Sequence, residues 1–110
     1  MSEKRSARFH VVAILDQFDR SGARISKLFA EHFESRHVPK RNRPEITHLV
    51  QEIVRRKGIL DEIIGSLFSG DYGRVENTLK NGLRLGAYEI LYRDHVPDFA
   101  AVNEAVKLLK

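Results

Sequence analysis

The 110-residue chain contains no cysteine. That removes a disulfide framework, a thiolate metal site and a cysteine nucleophile together. It also lacks any long apolar run. The opening Met1-Ser2-Glu3-Lys4-Arg5-Ser6 leads into 7–18, where Asp16 and Gln17 interrupt the hydrophobic residues, so neither a signal peptide nor a membrane span is expected and a cytoplasmic location follows. No segment alternates as a strand does, no glycine-rich loop joins a strand to a helix, and no low-complexity stretch or internal repeat is present. Without such a junction there is nowhere to build a nucleotide-type cofactor site, so neither a cofactor nor a catalytic residue is assigned. Gly70-Asp71-Tyr72-Gly73 reads as a turn and not as a phosphate cradle. The five histidines show no recognised ligand spacing with one another or with carboxylates, and no metal site is expected.

What is present is helical periodicity. The length suits one domain, residues 1–110, large enough to bury roughly 65% of its unfolded surface. Apolar spacing predicts an all-α bundle of about six helices, near 6–18, 24–35, 44–57, 60–69, 75–92 and 98–110. The first should carry Val11, Val12, Leu15 and Phe18 on one stripe and stop at Ser21-Gly22. The second should bury Ile25, Leu28, Phe29 and Phe33, and 36–42 should be an exposed basic loop around Pro39. Pro44 and Glu45 suit the first turn of the third helix, which repeats Ile46, Leu49, Val50, Ile53 and Val54, with Gly58 as its left-handed stop. The fourth should bury Ile63, Ile64, Leu67 and Phe68. The fifth should turn Val75, Leu79, Leu83, Ile90 and Leu91 inward, with Gly82 and Gly86 admitting a crossing helix. Pro97 breaks the chain before a last helix that presents Val102, Ala105, Val106 and Leu109.

The net charge of +4 and isoelectric point near 9.6 matter less than where the cations fall. Lys4, Arg5 and Arg8 open the chain, Arg36, Lys40, Arg41 and Arg43 surround Pro39, and Arg55, Arg56 and Lys57 follow the third helix. Each cluster has two readings. The first two are solvated segments or phosphate contacts, and the third compensates a helix dipole or meets RNA. Phe9, beside Arg8, is the aromatic considered for base stacking, whereas Phe18, Phe29, Phe33 and Phe68 read as core. Tyr88 and Tyr92 share a helix face suited to the core or to a partner interface.

The ordered run from Leu83-Arg84-Leu85-Gly86-Ala87-Tyr88-Glu89 through Val96-Pro97 to Asn103-Glu104-Ala105-Val106 resembles the signature of NusB-type RNA-binding domains. A fainter likeness extends upstream through Leu49-Val50, Arg55 and Leu60-Asp61-Glu62-Ile63-Ile64, with Glu52 standing where the family usually has glycine. The resemblance implies an RNA-binding helical domain in which the basic start, Lys4, Arg5 and Arg8, meets RNA; Phe9, from its place beside Arg8, and Lys40, Arg41 and Arg43, from their charge, are the further candidate contacts. Arg84, Tyr88, Glu89, Pro97, Asn103 and Glu104 are its structural motif residues, and Arg84 is expected either to meet RNA or to pair with a carboxylate such as Glu89 or Asp94.

Two branches share this hairpin. The wording of 96–106 leans toward the amino-terminal domain of the Sun or Fmu type of ribosomal RNA cytosine-5 methyltransferase, where a methyltransferase domain follows. The alternative is a bacterial antitermination factor that binds boxA-type RNA with the ribosomal protein NusE. A third reading is a protein-interaction module with little RNA affinity. Family members usually continue into a further helix with a Val-Asn-Gly-Val-Leu pattern, which these residues do not contain. Leu85, Val106 and Leu109 are therefore expected to lack their usual cover, which would favour a weak homodimer.

Overall fold

A computed structural model describes residues 6–93. These residues are all-α: five α-helices, two 3₁₀ turns and one π-helical turn, with no strand among them. None of these helices is long and apolar enough to cross a membrane. The sixth predicted helix, with Pro97, Asn103 and Glu104, lies outside the described residues, as do Lys4 and Arg5.

The chain divides into two compact units, Met1–Val54 and Arg55–Lys110. In the first, α1 (Ala7–Ser21) packs on α2 (Ile25–Ser35), and α3 runs Arg43–Arg55. Ser6 caps α1 by accepting from the Phe9 amide, and Gly22, at φ 67°, ends it by returning its N–H to the Phe18 carbonyl. The predicted stop is therefore observed, three residues beyond the predicted helix end. The buried stripe of α1 is His10, Val11, Ile14 and Leu15; Val12 and Phe18 are only half-buried. In α2, Leu28, Phe29 and Phe33 are buried as expected and Ile25 partly so. The helix ends without glycine: His37 takes the left-handed conformation, φ 52°, while the Val38 amide bonds the Phe33 carbonyl. In α3, Ile46, Leu49, Val50 and Ile53 are buried, Val54 partly, and Glu52 sits half-buried.

In the second unit α4 (Lys57–Leu67) packs on α5 (Asn77–Tyr88), which continues into the π-helical turn Glu89–Arg93. Gly58 is not a helix stop. The bend falls at Arg56, φ −103° and ψ 12°, in a sparsely populated bridge conformation open to any residue, so Gly58 lies in the first turn of α4. Lys57 consequently opens a helix instead of closing one. The buried residues of α4 are Leu60 and Ile64, with Ile63, Leu67 and Phe68 half-buried. In α5 the buried set is Asn81, Leu83, Arg84, Leu85, Ala87 and Tyr88, while Val75, Leu79, Ile90 and Leu91 are half-buried. The inward face is thus rotated from the predicted one because it is built around an ion pair rather than an apolar stripe. Leu85, expected to be uncovered, is 3% exposed. Among the described residues nothing lies within 4 Å of where a Cβ would stand at Gly82 or Gly86.

Candidate nucleic-acid interface

The Ser6 cap fixes where α1 begins, and this sets Arg8 on the surface and Phe9 half inside. The Phe9 ring meets His10 edge-on, 5.3 Å between centroids, and the Arg36 guanidinium lies over it at 5.7 Å. Arg36 is the residue that ends α2, so this cation–π contact joins the start of the chain to the basic loop. Sequence reasoning named Phe9 and Arg36 separately and gave no sign that they touch.

Beneath Phe9, the His10 Nδ1 and His32 Nε2 atoms are 2.8 Å apart, one donating and the other accepting. His10 is buried and His32 half-buried. Burial first, then the positive charge of His10 when protonated and of Arg36, lowers the His32 pKa from 6.5 to about 4, so this ring is neutral at pH 7. Nothing local in the sequence announces a pair separated by twenty-two positions.

The loop that follows is anchored. Val38 is buried at 2% exposure, and Arg43 donates from Nε to the Val38 carbonyl at 2.9 Å while its guanidinium covers Phe33 at 5.3 Å. Arg43 is therefore engaged in holding the loop on α2. Lys40 and Arg41, carried on the 3₁₀ turn Lys40–Asn42, are exposed. Beside this surface, between α1 and α2, runs a half-open groove of about 390 Å³ whose walls include Asp16, Arg20, Glu31, His32 and Arg36.

The motif residues of the second unit do a different job. Arg84, 4% exposed, donates from Nε and one terminal nitrogen to the two oxygens of Asp61 at 2.7 and 2.9 Å, and from the other to Asn81 at 2.8 Å. Its carboxylate partner here, Asp61, is one that sequence reasoning did not single out. The Tyr72 hydroxyl donates to the same carboxylate at 2.8 Å, which fixes the turn after α4 against α5's ion pair. Burial alone would raise the Asp61 carboxyl, but the bonds from Arg84 and Tyr72 outweigh it and hold it below its ordinary value; burial and Asp61 push the Tyr72 phenol well above its own. Tyr88 is buried and stacks on Tyr92 at 5.3 Å, and Tyr92, 42% exposed, has the Arg56 guanidinium 4.6 Å from its ring. Arg56 thus has an aromatic partner, a third role beside the two read from sequence. No group of three or more metal-ligating side chains occurs among the described residues.

The class defined so far is an all-α protein with a basic, aromatic-backed surface on its first unit and a buried arginine–aspartate lock in its second. The comparisons narrow this. Residues 5–110 match the profile of the NusB family, so the chain belongs to that family. The transcription antitermination protein NusB of Nitratiruptor sp. is 32% identical over 111 residues, covering 100% of this chain and 79% of its own. The proteins of the same name from Ruminiclostridium cellulolyticum, at 31% identity, and Desulfitobacterium hafniense, at 30%, each cover 97% of this chain and 74% of theirs. No solved structure matched. These relatives carry the antitermination name, so the lean toward a methyltransferase domain gains no support from them and the alternative is favoured over it.

Proposed function

We propose that the chain is an RNA-binding transcription antitermination factor of the NusB kind, and that its RNA site is the basic surface of the first unit. Arg8 and Phe9 supply one part of that surface, with Lys4 and Arg5 preceding them in the sequence as further contacts, and Arg36, Lys40 and Arg41 supply the other. Arg43 enters as the anchor of the loop. The observation that carries the reading is the Arg36–Phe9 contact, because it turns two cationic segments far apart in sequence into neighbours along one potential phosphate track. The names of the relatives support antitermination as the process. The family resemblance points to boxA-type RNA as the ligand and to a ribosomal protein of the NusE kind as the partner. No reaction, cofactor or methyltransferase domain is part of this proposal.

The test is a fluorescence titration of labelled single-stranded RNA at several salt concentrations. Binding is expected to weaken as salt rises, and Arg8→Glu combined with Arg41→Glu is expected to weaken it across all sequences while the helical circular-dichroism spectrum is retained. Affinity indifferent to both salt and the double substitution would overturn the assignment.

A further inference from the structure

Between Arg36 and Arg43 four cations crowd into a short loop that holds no carboxylate. Like charges at this density repel, so a loop left to its cations alone would splay open. It is closed instead through one apolar residue. Val38 is buried and spends both of its backbone polar groups: its amide donates to the Phe33 carbonyl at 3.1 Å, and its carbonyl accepts from the Arg43 Nε at 2.9 Å. Arg43 thereby ties the far end of the loop to the near end, and its guanidinium lies over the Phe33 ring at 5.3 Å. Between the two ties Pro39 holds φ at −57°, and its carbonyl accepts from the Asn42 amide at 2.9 Å. The 3₁₀ turn so formed carries Lys40 and Arg41 exposed on the surface. His37, held at φ 52° despite its Cβ, shows that these contacts impose the path of the loop.

We infer that Arg43 is a positioning residue of the RNA site: it contributes to affinity by holding Lys40 and Arg41 in one arrangement before RNA arrives, and not by meeting a phosphate itself. The inference rests on the RNA-binding reading above and says how its loop half gains affinity. Two long cationic side chains on a loose loop would lose backbone and rotamer freedom together on meeting a phosphate, whereas a turn already fixed leaves less to be lost. The chemistry of Arg43 fits this role. Its Nε and one face of its plane are committed to Val38 and Phe33, and a phosphate could take either only by releasing the loop. A planar guanidinium donates and stacks at once, which an ammonium does not do as well, so the role calls for arginine and not merely for a positive charge.

The experiment titrates a labelled uridine decamer by anisotropy at fixed salt, with the folding of each variant checked by circular dichroism. Arg43→Gln is expected to weaken binding about tenfold, the cost of ordering one or two side chains at the moment of binding. Arg43→Lys keeps the charge but not the stacked, bonded plane, and should weaken binding nearly as much. Pro39→Gly loosens the turn with every cation in place and should weaken it about threefold. Arg41→Gln should cost less in the Arg43→Gln background than in the unaltered chain, because a cation on a loosened loop has less to contribute. In the free chain, hydrogen exchange at the Val38 and Asn42 amides should accelerate in Arg43→Gln. Full affinity in Arg43→Lys, or costs of Arg43→Gln and Arg41→Gln that simply add, would make Arg43 a direct phosphate contact and overturn the inference. Full affinity in Pro39→Gly, or amide exchange unchanged in Arg43→Gln, would overturn it as well. Should Arg43→Gln fail to fold, Arg43→Lys and Pro39→Gly decide the matter by the same criteria. Failure of the unaltered chain to bind the decamer overturns the RNA-binding reading itself.

Discussion

A guanidinium out of water is unfavourable unless its hydrogen-bonding edges are all occupied, and Arg84 meets that condition with Asp61 and Asn81. Asp61→Ala would leave the cation buried and half-satisfied. A loss of about 3 kcal/mol is expected in urea unfolding, the low end for breaking a buried pair because the Asp61 side chain is 31% exposed. Arg84→Lys should also destabilise, since an ammonium cannot make the two parallel bonds of the fork. The Arg84–Asp61 pair also sets an acid limit. With the folded Asp61 pKa depressed, its stabilisation is present above the ordinary 3.8 and is lost as pH falls through the lower folded value.

His32 acts in a different window and for the opposite chemical reason. Its neutral form is the one the fold accepts, so between pH 6.5 and about 4 the unfolded chain binds a proton that the folded chain refuses. Stability is therefore complete above pH 6.5 and declines on acidification through that interval. The melting temperature should drop between pH 7 and pH 5, and His32→Gln, which loses the titration, should flatten the drop. A slope unaffected by the substitution would mean that His32 does not govern it. Neither Arg84–Asp61 nor His10–His32 was legible in the sequence. Their partners stand twenty-three and twenty-two positions apart, with no helical spacing to connect them. The sequence identified Arg84 as a motif residue without identifying its partner.

Helix ends show where local chemistry suffices and where it does not. Gly22 was legible as a stop because only a residue without Cβ takes φ 67° at little cost, whereas Gly58 offered the same letter and the chain bent at Arg56 instead. At the end of α2 the left-handed position falls on His37, whose Cβ makes it costlier there than glycine, and it is held by the Val38–Phe33 bond and the burial of Val38. The two positions predict opposite responses. Gly22→Ala should destabilise by about 1 kcal/mol, and His37→Gly should stabilise by up to about 1 kcal/mol, both read as shifts of the denaturant midpoint. The buried faces were partly legible for a related reason. In α2 and α3 an apolar stripe faces inward and periodicity finds it, but α1 buries His10 and α5 buries Asn81 and Arg84. A hydrophobic count rotates both of these faces by treating their polar anchors as surface.

For the molecule as a whole, the modest charge of +4 is unevenly divided. Ten basic and seven acidic residues precede Arg55, against nine and eight from Arg55 onward. The contrast deepens locally, since from Arg36 to Arg43 four cations occur with no carboxylate between them. In the second unit several cations are held by partners of that unit: Arg84 is locked to Asp61, Arg56 lies on Tyr92, and Lys80 covers Tyr72 while donating to the Gly73 carbonyl. If the basic surface of the first unit is the phosphate track, salt sensitivity must follow this division. With about four phosphate contacts the logarithmic salt slope for single-stranded RNA should lie near −3, and each reversed contact should remove about 0.7 of it. Reversing Arg8 and Arg41 together should therefore bring the slope near −1.5. Arg74→Glu, an exposed reversal in the second unit, removes as much positive charge per site and should leave the slope where it was. A uniform response to all three reversals would mean that RNA senses only net charge, with no particular surface of the chain involved.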